Sequence, residues 1–189
     1  MHNRKSNFSA DIGESRRLTW YAALFNEETR IQELDAQGQQ VRYTEVLRPG
    51  CFSGSLAQRT NVTANLDHDD NYKFAETSNN TLMLQEDAKG LFATCWLLDN
   101  DLGNQIIADV MSGKLDGASF RFLPIDTNTN NGLVERKAVV LKDVCLTANP
   151  AYAGTINSPM VRTKDKTRFL QTKLRLAKIK LQMLYNNKY

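Results

Sequence analysis

Histidine is almost missing from this chain: of 189 residues, only two are histidines, His2 and His68. A neutral-pH general base of the imidazole type therefore falls on His68, because His2 sits in a polar, mobile-looking terminus. Cysteine is scarce too, and Cys51, Cys95 and Cys145 lie far apart in no metal-ligand spacing. An odd, scattered set argues against a disulfide framework and fits a reduced, cytosolic compartment. No apolar run approaches the roughly 20 residues that span a bilayer, and Met1 to Ser15 lack the apolar middle of a secretory signal. What the chain has is an ordinary apolar fraction, 41%, enough to bury one domain's core.

Charge is unevenly spread. From Lys164 to Tyr189 eight basic residues stand against one acid, Asp165, so this segment carries +7 and the rest of the chain −4. Within it Leu170, Leu174, Ala177, Leu181 and Leu184 recur at spacings of four and three, the seam of an amphipathic helix. The expected organisation is a flexible segment over residues 1–17, a domain over 18–160 and a basic helical tail over 161–189. The tail reads either as a solvated helix face or as an arm for an acidic partner. Nucleic-acid binding through it ranks last, because the body offers no aromatic and basic groove.

The body reads as short strands broken by turns: Leu18–Leu24, Val41–Leu47, Val62–Leu66, Thr81–Gln85, Leu91–Leu97, Ala118–Leu123, Leu133–Val140 and Lys142–Thr147. Several alternate apolar with polar residues, as half-buried strands do. Glu86 to Gly90 predicts a hairpin turn with Gly90 available for positive φ. A short helix is expected from Pro49 to about Gln58. A second is capped by Asp99 or Asn100, has an apolar face of Leu102, Ile106, Ile107, Val110 and Met111, and stops at Gly113. Asp126 to Gly132, rich in Asn and Thr, reads as an exposed loop.

Three segments carry possible chemistry. His68 stands in Leu66-Asp67-His68-Asp69-Asp70, just past an apolar strand end. Ser119 stands in Gly117-Ala118-Ser119-Phe120-Arg121-Phe122, where small neighbours leave room for a substrate backbone. Alternation there puts Ser119, Arg121 and Leu123 on one face and the two phenylalanines on the other. A serine hydroxyl attacks only when a base takes its proton, which calls for a nearby His. Asp143, between Lys142 and Val144 on an apolar strand, is costly to bury unpaired and suits the second imidazole nitrogen. Glu135 and Asp116 are weaker candidates for that role.

Each segment also has a plainer reading. A histidine among aspartates makes a solvated turn, and Asp67, Asp69 and Asp70 could hold a hard cation, although no other ligand cluster supports it. Cys145 is a rival nucleophile, but its neighbours Val144 and Leu146 suit a small buried hydrophobe.

In order and spacing these segments resemble the caudoviral prohead serine proteases, whose fold is similar to herpesvirus assemblin. The resemblance runs from about Leu18 to Thr155. It takes in Tyr21 to Asn26, then Glu45 to Leu56 with its Pro49-Gly50-Cys51-Phe52 turn, then Leu66-Asp67-His68-Asp69. The Leu82 to Thr94 hairpin, the Asp99 to Gly113 helix, Gly117-Ala118-Ser119-Phe120, and Leu141 to Thr147 followed by Asn149-Pro150-Ala151-Tyr152 complete it. The resemblance implies an α+β fold that is mainly β, a small antiparallel β-barrel with surrounding helices, to which charge and periodicity add the C-terminal helical arm. It implies a serine endopeptidase that cleaves scaffold or major capsid protein extensions, and itself, inside the assembling prohead in the host cytoplasm. His68 and Ser119 would be the catalytic pair and Asp143 the acidic third member, with no cofactor, no metal and no membrane. A homodimer follows by analogy with assemblin, and a non-catalytic capsid-associated binding protein is the alternative. Arg121 stands where the family commonly has Gly, which makes the backbone there less permissive or else offers its guanidinium for oxyanion binding. Cys145 replaces a frequent Ser.

Overall fold

The computed structural model describes residues 16–34, 37–151, 153–155 and 159–162. The N-terminal segment up to residue 15 and, beyond 162, the segment expected as a basic helical tail lie outside the described residues. The first half of the body runs β1 (Arg17–Leu24), β2 (Thr29–Leu34), β3 (Gln40–Leu47), α1 (Ser53–Ala57), β4 (Thr63–Leu66) and β5 (Ala75–Glu76). The second half runs β6 (Leu82–Glu86), β7 (Gly90–Trp96), α2 (Asp101–Met111), β8 (Gly117–Asn130), β9 (Leu133–Thr147) and β10 (Met160–Arg162).

The strands make two sheets. One has the order β10-β1-β7-β6, with β7 antiparallel to both β1 and β6. The other has the order β2-β3-β9-β4-β5, with β8 joined to β9. The first sheet follows from simple alternation: in β1 Leu18, Trp20 and Ala22 are fully buried while Arg17, Thr19 and Tyr21 are half-buried. The Glu86–Gly90 turn forms as expected, but Gly90 is needed for closeness rather than for positive φ. A Cβ there would lie 2.0 Å from the Ala23 carbonyl oxygen. The turn itself is tied by Asp87, whose Oδ1 accepts from Lys89 N and Gly90 N.

β9 organises the second sheet. Along one edge it pairs antiparallel with β8 from end to end. Its other edge is shared: β3 pairs parallel with Leu133–Arg136, and β4 pairs parallel with Asp143–Leu146. The stretch between is covered by the Pro49-Gly50 turn and α1. Val139 N–H donates to Cys51 O at 2.9 Å, and Leu141 N–H donates to the buried Ser55 Oγ at 2.9 Å. The Pro-Gly turn and its short helix thus complete a strand edge that would otherwise bury unpaired amides.

This arrangement corrects the expected antiparallel barrel. The described residues form two sheets and no closed barrel, and two pairings of β9 are parallel. The reason lies in how β9 spends its edge. A barrel closes when the last strand pairs back to the first, whereas here β3, α1 and β4 divide one edge of a single long strand. The sheets instead meet through side chains. Phe25 at the end of β1 stacks on Phe52 at 6.2 Å, and Phe52 packs edge-on to Phe120 of β8 at 5.5 Å. Trp20 and Phe74 make a second such contact at 6.2 Å. Asn26 N–H, bonded to Leu47 O at 2.9 Å, adds a backbone tie.

α2 begins and ends as its sequence predicts. Asn100 Oδ1 accepts from Gly103 N–H at 2.8 Å, and Gly113 follows the last turn with φ +75°. Ile106 and Ile107 are buried, and the chain then enters β8.

Candidate active site

The β8–β9 ladder sets the positions of four side chains. In register, Ser119 faces Cys145 and Arg121 faces Asp143, so these residues share one face of the pair. The other face carries Phe120, buried and stacked on Phe122 at 5.3 Å. Gly117 opens the strand because Pro150 lies against it, and a Cβ there would come within 2.6 Å of the proline ring. One residue on, both polar groups of Ala118 engage the buried Thr155 hydroxyl, which accepts from Ala118 N at 3.2 Å and donates to Ala118 O at 2.7 Å. Ser119 is therefore held by strand register on one side and by Thr155 beside it on the other.

β4 delivers the histidine. It runs parallel to β9 with Leu66 opposite Leu146, then turns back at once over Leu66-Asp67-His68-Asp69. Asp69 N–H bonds Leu66 O at 2.9 Å, and both central residues lie in the left-handed region, Asp67 at φ 50° and His68 at φ 61°. That is the pattern of a type I′ turn without glycine. Asp and His tolerate this region better than most residues but still carry strain there. The turn is held by Asp67 N–H on Leu146 O at 3.1 Å and by Asp69 Oδ1 on Asn71 N at 2.9 Å.

These placements bring three of the sequence candidates together. His68 Nδ1 lies 2.6 Å from Asp143 Oδ1, and His68 Nε2 lies 3.2 Å from Ser119 Oγ. A carboxylate partner selects the tautomer with the proton on Nδ1, which leaves the Nε2 lone pair facing the hydroxyl. The Asp143 side chain is 2% exposed and the His68 side chain 26%, so the imidazole joins a buried acid to a solvent-reachable edge. Burial pushes the Asp143 carboxyl up, but hydrogen bonds and charge from His68 and Arg121 outweigh it and hold the group below its ordinary value.

Glu135 and Asp116 take no part at the imidazole. Glu135 lies at the other end of β9, bonded to Arg48 and Asn128, and Asp116 precedes β8. The Asp67, Asp69 and Asp70 group does not gather: among the described residues no cluster of three or more His, Cys, Asp and Glu is placed to hold a metal ion.

Two neighbours have roles the sequence did not disclose. Cys145, read as a small buried hydrophobe, is buried, yet its Sγ lies 3.5 Å from His68 Nε2, the nitrogen that also faces Ser119. Burial pushes its thiol up to about 12, so it stays protonated. Arg121, a candidate for oxyanion binding, places Nε and Nη2 on Asp143 Oδ2. The signal for both was the pairing of β8 with β9, which sets 119 against 145 and 121 against 143. Periodicity within one strand does not contain it.

Residues 4–169 match the family described as caudovirus prohead serine protease. The chain belongs to that family. Among solved structures, this family member is similar to the varicella-zoster virus protease, with 14% identity and a TM-score of 0.37 over 74% of this chain. The match covers 61% of the herpesvirus enzyme, so the chain spans about three fifths of that protein's length. It is also similar to the bacteriophage T4 capsid assembly protease, gp21, with 11% identity and a TM-score of 0.41, covering 69% of this chain and 96% of the other. No curated protein matches it.

Proposed function

We propose that this protein is a serine endopeptidase of phage capsid maturation, acting inside the assembling prohead in the host cytoplasm. Its substrates in this reading are scaffold or capsid-protein extensions, and its own chain. The observation that carries the reading is an imidazole bonded at both nitrogens, 2.6 Å from a buried carboxylate and 3.2 Å from a serine hydroxyl. Family membership gives the arrangement its context.

In this mechanism Ser119 Oγ attacks the scissile carbonyl carbon while His68 Nε2 takes the hydroxyl proton. Asp143 Oδ1 accepts the Nδ1–H and stabilises the imidazolium as it forms. The tetrahedral adduct collapses as Nε2–H protonates the leaving amine, giving an ester on Ser119. Water then attacks the ester, His68 takes its proton, and the acid product leaves with Ser119 restored.

The nearness of Cys145 Sγ to the same nitrogen favours a second reading, a cysteine nucleophile. Two facts weigh against it: the sulfur is fully buried, and its thiol is held protonated, whereas Ser119 is 9% exposed and needs no prior ionisation. One pair of variants separates the readings. Ser119→Ala should lower cleavage of co-expressed capsid protein by at least about a thousandfold and abolish labelling by a fluorophosphonate probe. Cys145→Ser should keep both within about threefold of wild type. Wild-type cleavage by Ser119→Ala, or loss of cleavage in Cys145→Ser alone, would overturn the assignment of Ser119. Wild-type cleavage that neither variant impairs would favour a non-catalytic role for this two-sheet body.

A further inference from the structure

Asp143 has two carboxylate oxygens and only one is used by His68. The other, Oδ2, is met by Nε and Nη2 of Arg121, the residue directly opposite Asp143 in the β8–β9 register. The carboxylate is buried, but the arginine side chain is 51% exposed, and its Nη2 lies 4.0 Å from Asp70 Oδ1, just past the turn that carries His68. One guanidinium thus touches β9 and reaches toward the histidine turn from β8. The geometry points to Arg121 as a positioning residue that fixes the rotation of the Asp143 carboxylate and shares its charge, so that His68 is oriented without being over-stabilised as an imidazolium. This rests on the proposed roles of Ser119, His68 and Asp143.

The physical argument has two parts. A carboxylate bonded on one oxygen can still rotate, and a planar N–H pair on the other oxygen removes that freedom. A carboxylate facing a lone imidazole also favours its protonated form, and a cation on the far oxygen offsets part of that attraction. The charged and titratable groups around the imidazole are Asp143 and Cys145 on β9, Arg121 on β8, and Asp67, Asp69 and Asp70 on or just past its own turn. β4 contributes the neutral Asn65, whose Nδ2 donates to Asp70 Oδ1 at 3.3 Å. Arg121 is the cation in contact with this otherwise acidic surrounding, so its removal should have one sign: the imidazolium is stabilised and the midpoint of His68 rises.

The scarcity of histidine makes this measurable without turnover. In a Ser119→Ala, His2→Ala background a single imidazole remains, and its ring protons can be followed by NMR against pH. Adding Arg121→Gln should raise the midpoint by about half to one pH unit, and Arg121→Lys should leave it near the parent value. With Ser119 intact, Arg121→Gln should slow fluorophosphonate labelling at pH 7 by about tenfold to a hundredfold and move its acid limb upward by the same interval. Arg121→Lys should keep the limb but recover the rate only in part, because an ammonium cannot present two coplanar donors. An unchanged midpoint in the glutamine variant, or wild-type rate and limb in both variants, would overturn the proposal. If wild-type protein took no label and cut no substrate, the protease reading would fail while the NMR titration still decided whether Arg121 acts on His68. Should the glutamine variant not fold, the lysine variant decides: wild-type labelling rate there would refute the two-donor grip.

Discussion

Glu45 and Asp143 are both nearly fully buried, and both are gripped by an arginine from a neighbouring strand. Glu45, on β3, takes Arg136 Nε of β9 at 2.5 Å, and the same guanidinium donates to Tyr43 Oη at 3.3 Å. Burial first, and then the hydrogen bond to Glu33, push the Tyr43 hydroxyl well above its ordinary range. That cluster joins a carboxylate, a guanidinium and a phenol, with no imidazole among them, and its arginine side chain is only 12% exposed. Around Asp143 the arginine is half exposed, and the remaining oxygen goes to an imidazole, the side-chain type suited to general-base work. Burial and ion pairing are therefore common to both carboxylates. What distinguishes a candidate catalytic acid from a structural one is a titratable partner with its own route to a nucleophile.

The sharpest break of this comparison is a pair of isosteric changes. Asp143→Asn should lower kcat by roughly a thousandfold to ten-thousandfold by disturbing the imidazole tautomer. Glu45→Gln should leave kcat per folded molecule within about threefold, yet cost about 3 kcal/mol in urea unfolding because it strands a buried guanidinium. Equal losses of kcat in the two variants would erase the distinction drawn here. Acid titration sharpens it further. The folded-state value of Asp143 is depressed, so its ionised form stabilises the fold fully above its unfolded value, about pH 4, and this contribution is lost as pH falls below that. The gap in urea midpoint between wild type and Asp143→Asn should hold from pH 7 to about pH 4 and then narrow. A gap already closing near pH 6 would assign the effect to another group. The smallest expected effect is Ser55→Ala, which removes the acceptor for Leu141 N–H and should cost about 1 kcal/mol with no change in kcat.

Much of this was legible in the chain because the relevant signals are local. β1, β3, β6 and β7 lie within a residue or two of the alternating runs that predicted them, and Asn100 and Gly113 bracket α2 as capping chemistry requires. The three candidates at 68, 119 and 143 were legible for another reason: scarcity left one usable imidazole, small neighbours and an acid on an apolar strand marked the other two, and the order of the segments gave family resemblance. The misses share a physical cause. β2 is mostly exposed and spelled with Arg, Gln and Glu, which carry no alternation. Of the Asn- and Thr-rich stretch read as an exposed loop, 126–130 is the outer, exposed part of β8 and 131–132 is the hairpin turn, with Pro124 tolerated at an irregularity of an edge strand. Leu133–Val140 and Lys142–Thr147 are one strand because the cover provided by α1 spans the place where the pattern falters. Parallel pairing, the positive φ of Asp67 and His68, and the Arg121–Asp143 contact depend on partners far away in sequence.

The register of β8 against β9 is unbroken from Gly117 to Arg121, and its first irregularity falls between Arg121 and Phe122, with two more between Pro124 and Thr127. Ser119 and Arg121, with Cys145 and Asp143 opposite them, lie on the near side of that first break, and the outer part of the hairpin lies beyond it. A one-residue insertion or deletion near the tip can therefore be absorbed by the existing kinks instead of turning Ser119 toward the interior. Freedom to vary belongs to the exposed β8 arm of the outer hairpin, since its β9 arm is held by pairing with β3 and by the Arg136–Glu45 ion pair.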